Sequence, residues 1–175
     1  IRPYVQPRLD DFTCTDIVPM HDPETEEEIK RGIIETLEKN RVMGASVVSI
    51  THGPTVTRYN VAINIDTAPQ KVLALEESFQ MSLQSSLVNV TPNYDNGTIS
   101  IEVPNKNRQF VNLGSMLTGD TYVNAKSSSL MFTMGKDVFN AKVYGDLSKM
   151  VHLLVAGGTG GGKSVFLGAM IMSLI

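Results

Sequence analysis

Residues 152–175 read HLLVAGGTGGGKSVFLGAMIMSLI, and this stretch decides the fold of the last part of the chain. The five residues HLLVA, at 152–156, form a continuous apolar run and predict a buried parallel strand. Residues 165–175 are apolar on nearly all sides and predict a buried helix. A glycine-rich loop joins the two, so the sequence predicts the first strand, loop and helix of an α/β domain over 148–175.

The loop has the residue types that bind phosphate. Gly157, Gly162, Lys163 and Ser164 satisfy the pattern G-x-x-x-x-G-K-[ST] of a P-loop, or Walker A motif. Glycines let several backbone N–H groups approach phosphate oxygens, and the start of a helix adds positive potential. Lys163 can reach the outer phosphates, and the Ser164 hydroxyl can bind Mg²⁺. The predicted nucleotide-binding residues are Gly157, Gly158, Thr159, Gly160, Gly161, Gly162, Lys163, Ser164 and Val165, and the predicted catalytic residues are Lys163 and Ser164.

The upstream part of the chain predicts an α+β domain. A helix is expected from Asp22 to about Asn40, a hairpin of strands at 45–50 and 57–65, and a second helix from Pro69 to about Ser86. Strands at 87–90 and 99–103 follow around the turn at Asp95-Asn96-Gly97. Two short strands, 130–134 and 138–143, are expected around Gly135-Lys136.

Three segments are predicted along the chain. Residues 1–21 carry three prolines without periodicity and are expected to form a poorly ordered arm or linker. Residues 22–147 form the α+β domain, and residues 148–175 begin the nucleotide-binding domain.

Composition limits the possible functions. The net charge of −3 and the pI near 5.6 argue against a surface that grips DNA phosphates throughout. Cys14, the single cysteine, excludes an internal disulfide and a multi-cysteine zinc site and favours a cytoplasmic setting. No apolar run is long enough to cross a bilayer, so no membrane contact is expected from this segment.

Four stretches resemble the FtsK/SpoIIIE family of DNA-translocating motors. LSKMVHLLVAGGTGGGKSV, from Leu147, looks like the P-loop segment of that family, although Val151 replaces a usual proline. Upstream, GPTVTRY, IEVPN and MGKDV resemble family signatures in the right order. The resemblance implies that the upstream part is the α domain and that the P-loop opens a RecA-like domain. It also implies ATP and Mg²⁺ as cofactors, a hexameric ring in the full protein, and double-stranded DNA as a partner contacted mainly by parts outside this chain.

Two other functions stay open. A protein-secretion ATPase of the type VII kind shares the P-loop, but GPTVTRY and IEVPN favour the DNA motor. A non-catalytic ring-assembly module is the second alternative, because only 11 residues follow Ser164 and leave no room for a Walker B strand. We therefore expect that the chain belongs to a longer protein, or that its apolar tail packs against another chain, and that it alone hydrolyses negligible ATP.

The remaining candidate residues have structural alternatives. Arg58, Arg108 and Lys136 lie in the matching motifs and are predicted either to touch a neighbouring subunit or nucleotide or to form ion pairs. Asn105 is expected to be a turn residue. The scattered histidines lack the spacing of metal ligands; these are His21, His52 and His152.

Overall fold

The structure is a computed structural model that describes residues 8–16, 22–126 and 129–175. These residues form two compact units, one of residues 22–108 and one of residues 8–16 with 109–126 and 129–175. The predictions for residues 1–7 and 17–21 of the arm, including His21, lie outside the described residues. No helix in the described parts of the chain is both long and apolar enough to cross a bilayer.

The first unit has the predicted α+β order of elements. Its four strands form one antiparallel sheet in the order β1-β2-β4-β3. The elements are α1 (Pro23–Lys39), β1 (Ser46–His52), β2 (Val56–Ala62), α2 (Pro69–Leu73), α3 (Glu76–Ser82), β3 (Asn89–Asn93) and β4 (Thr98–Pro104).

One face of this sheet packs against the helices because apolar and polar residues alternate along its central strands. Tyr59 and Val61 of β2 and Ile101 of β4 are almost completely buried. They join Ile33, Leu37, Val72 and Phe79 of the helices in one apolar core. The opposite face carries polar pairs, such as Ser100 donating to Asn60 over 2.7 Å. The sequence alternation therefore sets which face becomes the core.

The start of α1 follows the predicted capping chemistry. The Asp22 carboxylate accepts hydrogen bonds from the Glu24 amide at 3.2 Å and the Thr25 hydroxyl at 2.7 Å. Pro23 occupies the first turn, where its missing N–H costs nothing. These bonds satisfy donors of the first turn and fix where α1 begins.

Three predicted elements of this unit have different bounds. The single helix expected over 69–86 is two helices, because the Leu75 amide bonds to Val72 O, three residues back, and tightens the chain there. Ile65 is exposed rather than on the core face, since β2 ends at Ala62. The strand expected over 87–90 is displaced to β3, which pairs with β4 through residues 89–93.

The second unit contains a hairpin, three α-helices and two short 3-10 helices, Leu9–Asp11 and Leu147–Lys149. The elements are α4 (Leu113–Leu117), α5 (Asp120–Val123), β5 (Met131–Lys136), β6 (Lys142–Asp146) and α6 (Lys163–Leu174). The hairpin was predicted, but its turn was misplaced: Gly135 and Lys136 lie within β5 and pair with Val143 and Lys142. The chain turns at residues 137–141, where the Asp137 carboxylate accepts bonds from the Phe139 and Ala141 amides.

Helix α6 packs along β5. The ring of Phe166 meets the buried Phe132 ring edge to face, with 6.2 Å between centroids. Near the end of α6, the buried Ser173 hydroxyl accepts from the Thr133 amide at 3.3 Å. The prediction that α6 is buried all round is wrong within this unit, since Val165 and Ile171 are exposed.

The strand predicted over residues 152–156 is not formed. No described residue pairs with this segment, and Leu154 is 90% exposed. A parallel strand needs a neighbour for its hydrogen bonds and two covering layers for its side chains. Without a pairing strand, the apolar run stays extended and irregular.

Candidate functional site

The glycine-rich loop before α6 has the backbone shape that its sequence predicts. Gly160 and Gly162 adopt positive φ angles of 75° and 81°, a region that glycine enters without strain. The Gly161 amide donates to Gly158 O over 3.1 Å and closes the loop. The chain then enters α6 directly, so the loop is anchored at its helical end.

The start of α6 supplies donors beside this loop. The first intrahelical bond runs from the Phe166 amide to Gly162 O over 2.9 Å. The amides of Lys163, Ser164 and Val165 therefore belong to the first turn, whose N–H groups have no acceptor within the helix. These three amides, with the positive end of the helix, can bind an anion.

The Lys163 side chain reaches back from the start of α6 to the first residues of the loop. Its ammonium donates to the carbonyl oxygens of Gly157 at 2.5 Å and Gly158 at 2.9 Å. The side chain is half-buried, while Ser164 is exposed. The structure thus places the Lys163 ammonium against the carbonyls of the loop, and the assignment of residues 157–165 as the nucleotide site stays a prediction.

Two of the three basic candidates form ion pairs within their own units. Arg58 contacts Glu102 across neighbouring strands, with Nη2 to Oε1 at 2.7 Å. Lys136 contacts Asp16 at 2.6 Å, and both side chains are 9% exposed. Arg108 is exposed.

Asp16 joins distant parts of the second unit, and no pattern in the sequence indicates this role. Its carboxylate accepts from the Asn112 amide at 2.8 Å and the Ser115 hydroxyl at 2.7 Å, besides its contact with Lys136. Burial raises the pKa of Asp16, but the hydrogen bonds of Lys136, Ser115 and Asn112 outweigh it and hold the pKa below its ordinary value. Its partners Asn112 and Ser115 lie 96 and 99 residues away along the chain. Helical or strand periodicity in the sequence cannot indicate contacts at such separations.

Asn105, which the sequence predicts to be a turn residue, has a more specific structural role. Its side chain accepts from the Thr57 hydroxyl at 2.7 Å and donates to Gly53 O at 2.9 Å. It therefore ties the end of β4 to the β1–β2 turn. Across residues 8–16, 22–126 and 129–175, no group of three or more His, Cys, Asp or Glu side chains is arranged to hold a metal ion.

Comparisons with known proteins agree with these features. A family model described as FtsK alpha domain matches residues 8–105, and one described as FtsK/SpoIIIE family matches residues 115–175. These matches confirm the predicted fold class, an α+β domain followed by the start of a P-loop NTPase domain.

Curated relatives are DNA translocases. The chain is 38% identical over 174 residues to DNA translocase FtsK 1 of Neisseria meningitidis serogroup A, covering 98% of this chain and 21% of that protein. It is 38% identical over 144 residues to DNA translocase FtsK of Clostridium acetobutylicum, covering 82% of this chain and 19% of that protein. The chain thus spans about a fifth of the length of these relatives.

A solved structure with some likeness is that of the pCW3 conjugation coupling protein TcpA, in a monomer form with ATPγS. The TM-score is 0.36 at 17% sequence identity, over 84% of this chain and 42% of that one. The alpha-domain model, in contrast, covers more than half of the residues here. From that match, and from the P-loop match that follows it along the sequence, the chain belongs to the FtsK/SpoIIIE family.

Proposed function

We propose that this chain is the α domain and the P-loop portion of an ATP-driven motor that moves along double-stranded DNA. The observation that carries the proposal is the loop at the start of α6, where Lys163 lies across a turn shaped by Gly160 and Gly162. The similarity to proteins named DNA translocases supports the choice of DNA as the partner.

In this proposal the loop binds the triphosphate of ATP. Phosphate oxygens replace the carbonyls of Gly157 and Gly158 as partners of the Lys163 ammonium, since an anion attracts the cation more strongly than a neutral carbonyl does. The first-turn amides of α6 donate to the same oxygens. The chain's own residues therefore bind and orient the phosphates and balance their charge.

Ser164 is the residue that would hold Mg²⁺. Its hydroxyl is exposed on the first turn of α6, one residue after Lys163. Mg²⁺ prefers oxygen ligands and is held in P-loop proteins by this hydroxyl together with phosphate oxygens. The metal, once bound, neutralises charge that develops on the phosphates during transfer.

The alternatives make different predictions. The alpha-domain match over residues 8–105 supports a DNA motor over a type VII secretion ATPase.

A hexameric ring and a cytoplasmic setting complete the proposal. The cytoplasmic setting rests on Cys14, whose thiol is free and exposed. The predicted domain bounds, 1–21, 22–147 and 148–175, stay a prediction.

ATP hydrolysis by the full-length protein, with and without double-stranded DNA, tests the proposal. We expect DNA to stimulate turnover and Lys163→Ala to lower it by about 100-fold or more, the scale of losing one donor to the transition state. Lys39→Ala is the matched control, because Lys39 is exposed and pairs only at the surface with Glu35.

Each alternative has its own outcome in this assay. Hydrolysis that ignores DNA would contradict the motor and favour the secretion ATPase. No hydrolysis by the full-length protein would favour the ring-assembly module. The 175-residue chain by itself is expected to show negligible turnover, and turnover that Lys163→Ala abolishes in that chain would contradict this expectation.

A further inference from the structure

The first described segment of the chain, residues 8–16, packs within the second unit, although the alpha-domain match begins at residue 8. We call this segment the strap. All of the first unit follows the strap along the chain before the second unit resumes at residue 109. Side-chain and backbone contacts, rather than neighbouring positions in the sequence, therefore hold the strap in the second unit.

The Asp16 carboxylate fastens one end of the strap to α4 and β5. Its Oδ1 accepts from the Asn112 amide at 2.8 Å and from the Ser115 hydroxyl at 2.7 Å, while its Oδ2 lies 2.6 Å from Lys136 Nζ. The Asn112 side chain donates in return to Thr15 O at 2.6 Å. Both oxygens of the carboxylate are thus paired when the strap is docked.

The strap backbone also lies close against α4. A Cβ on Gly114 would lie 2.6 Å from Thr13 O and 2.8 Å from Phe12 Cβ. Real Cβ atoms do not come so close to other heavy atoms, so the strap can dock in this position because residue 114 is a glycine.

Helix α6 is held by the same elements. Leu9 and Phe12 of the strap line a cavity of about 250 Å³ together with Met172 and Ile175 at the end of α6. Strand β5 holds α6 through the ring contact and the hydroxyl contact described above. The same strand ends at Lys136, so the ion pair of the strap and the contacts of α6 are made by one strand.

Release of the strap would leave Lys136 without its charge partner. The Lys136 side chain is 9% exposed, and a buried ammonium that loses its carboxylate is strongly unfavourable. The end of β5 would therefore have to bring Lys136 toward water. Because β5 also supports α6, whose first turn follows the glycine-rich loop, release of the strap changes the support of that loop.

We propose that the docked strap holds β5 and α6 in the arrangement in which the glycine-rich loop binds nucleotide, and that Asp16 is a positioning residue that acts through Lys136. This inference rests on the proposed nucleotide site. Coupling between two binding equilibria is reciprocal. A bound nucleotide therefore stabilises the docked strap to the same extent as the docked strap strengthens nucleotide binding.

Hydrogen–deuterium exchange of the full-length protein, followed by mass spectrometry of peptides from residues 8–16, tests this coupling. Adding Mg²⁺ with ATPγS should slow exchange of the strap amides by about fivefold or more, the lower end of typical couplings between sites. Lys163→Ala at the same concentration of the analogue should show no slowing. The wild-type measurement does not depend on the folding of any variant.

The affinity of the full-length protein for the same analogue tests the role of Asp16. Asp16→Asn should raise the Kd by about fivefold or more. Asp10→Asn is the matched control and should bind as the wild type does, because Asp10 is an exposed residue of the strap and loses the same charge. Adding Lys136→Met to Asp16→Asn should restore part of the lost affinity, because no unpaired charge then remains buried.

The outcomes separate the strap from the nucleotide site. Unchanged strap exchange beside bound analogue, or wild-type affinity in an Asp16→Asn variant that is folded by circular dichroism, would overturn the role of the strap alone. A further loss of affinity on adding Lys136→Met would overturn the action of Asp16 through Lys136. No binding of the analogue by the wild type would overturn both this inference and the proposed nucleotide site.

Discussion

The two glycines with positive φ in the nucleotide loop set its shape at the level of single residues. At Gly162, with φ of 81°, a Cβ would have no neighbour within 4 Å, so the backbone angle alone opposes a larger residue. Gly168 lies in the middle of α6, and a Cβ there would also meet nothing within 4 Å. Crowding is absent at both positions, so the same substitution compares the strain of a left-handed backbone with the helix propensity of alanine.

We predict opposite effects of alanine at these positions. Gly162→Ala should lower the free energy of unfolding by about 1 kcal/mol, because a left-handed backbone strains an L side chain. Gly168→Ala should raise it by about 1 kcal/mol, because alanine favours a helix over glycine. Urea denaturation followed by circular dichroism checks both, and destabilisation by Gly168→Ala would contradict this view of α6.

The buried pair of Asp16 and Lys136 makes stability depend on pH. The lowered pKa of Asp16 means that its contribution is fully present above the ordinary aspartate pKa of about 4. The contribution is lost as the pH falls through the lowered pKa of the folded state. Acid should therefore weaken the link between residue 16 and the α4–β5 region.

We predict that Asp16→Asn lowers the free energy of unfolding by about 3 kcal/mol at pH 7, since it leaves Lys136 charged and buried without its partner. The difference from the wild type should shrink as the pH falls from about 4 to 2. Denaturation midpoints across this range measure it, with the exposed Asp10→Asn as control. A difference that stays constant with pH would rule out the ion pair as its cause.

Local structure was predictable where it rests on contiguous sequence. The turn of the glycine-rich loop into α6 follows from the P-loop pattern, and the start of α1 follows from Asp22 at a capping position. The binding roles of Lys163 and Ser164 stay a prediction. The Asp16 network was not predictable, because its partners come from separate elements. Pairing of that kind depends on the tertiary fold rather than on spacing along the chain.

At the scale of elements, the β5–β6 hairpin depends on one close approach. A Cβ on Gly145 would lie 2.5 Å from Cζ of the buried Phe132 ring. Real Cβ atoms do not come this close to carbon, so the ring or the strand would have to move. The same ring packs against Phe166 of α6, which links the hairpin to the helix after the nucleotide loop.

A double-mutant cycle tests this contact. We predict that Gly145→Ala costs about 1 to 3 kcal/mol by overpacking, and that Phe132→Leu, which removes the ring edge, costs a similar amount by leaving space. Together they should cost less than the sum of the two, as residues in contact are coupled. Additive losses in urea denaturation would show that the two residues do not compete for the same space.

Elements whose apolar residues repeat at the spacing of a helix or a strand were predicted well. Elements that depend on hydrogen bonds to a neighbouring element were not. Helix α1 and strand β1 lie close to their expected bounds because alternation and capping act locally. The strand at residues 152–156 failed because its hydrogen bonds require a pairing strand that the described residues do not provide. The turn after β5 was misplaced because Asp137, rather than Gly135-Lys136, organises it.

At the scale of the whole molecule, one chain of the FtsK/SpoIIIE family carries both the alpha-domain match and the P-loop motif. The alpha-domain match ends at residue 105 and the second family match begins at residue 115. Exposed apolar residues flank the loop along the chain, within residues 151–154 before it and within α6 after it. We expect them to be covered in the full-length protein, as burial of each large apolar side chain contributes about 1.5 to 3 kcal/mol.

The central claim is that the loop before α6 binds the phosphates of ATP and that Lys163 balances their charge. A crystal structure of the full-length protein with Mg²⁺ and a non-hydrolysable ATP analogue tests it most directly. We predict hydrogen bonds from the amides of residues 160–165 to the phosphates, with the Lys163 ammonium moved from the carbonyls of Gly157 and Gly158 to phosphate oxygens. A nucleotide bound elsewhere, or a Lys163 that keeps its present partners beside the bound analogue, would contradict the claim.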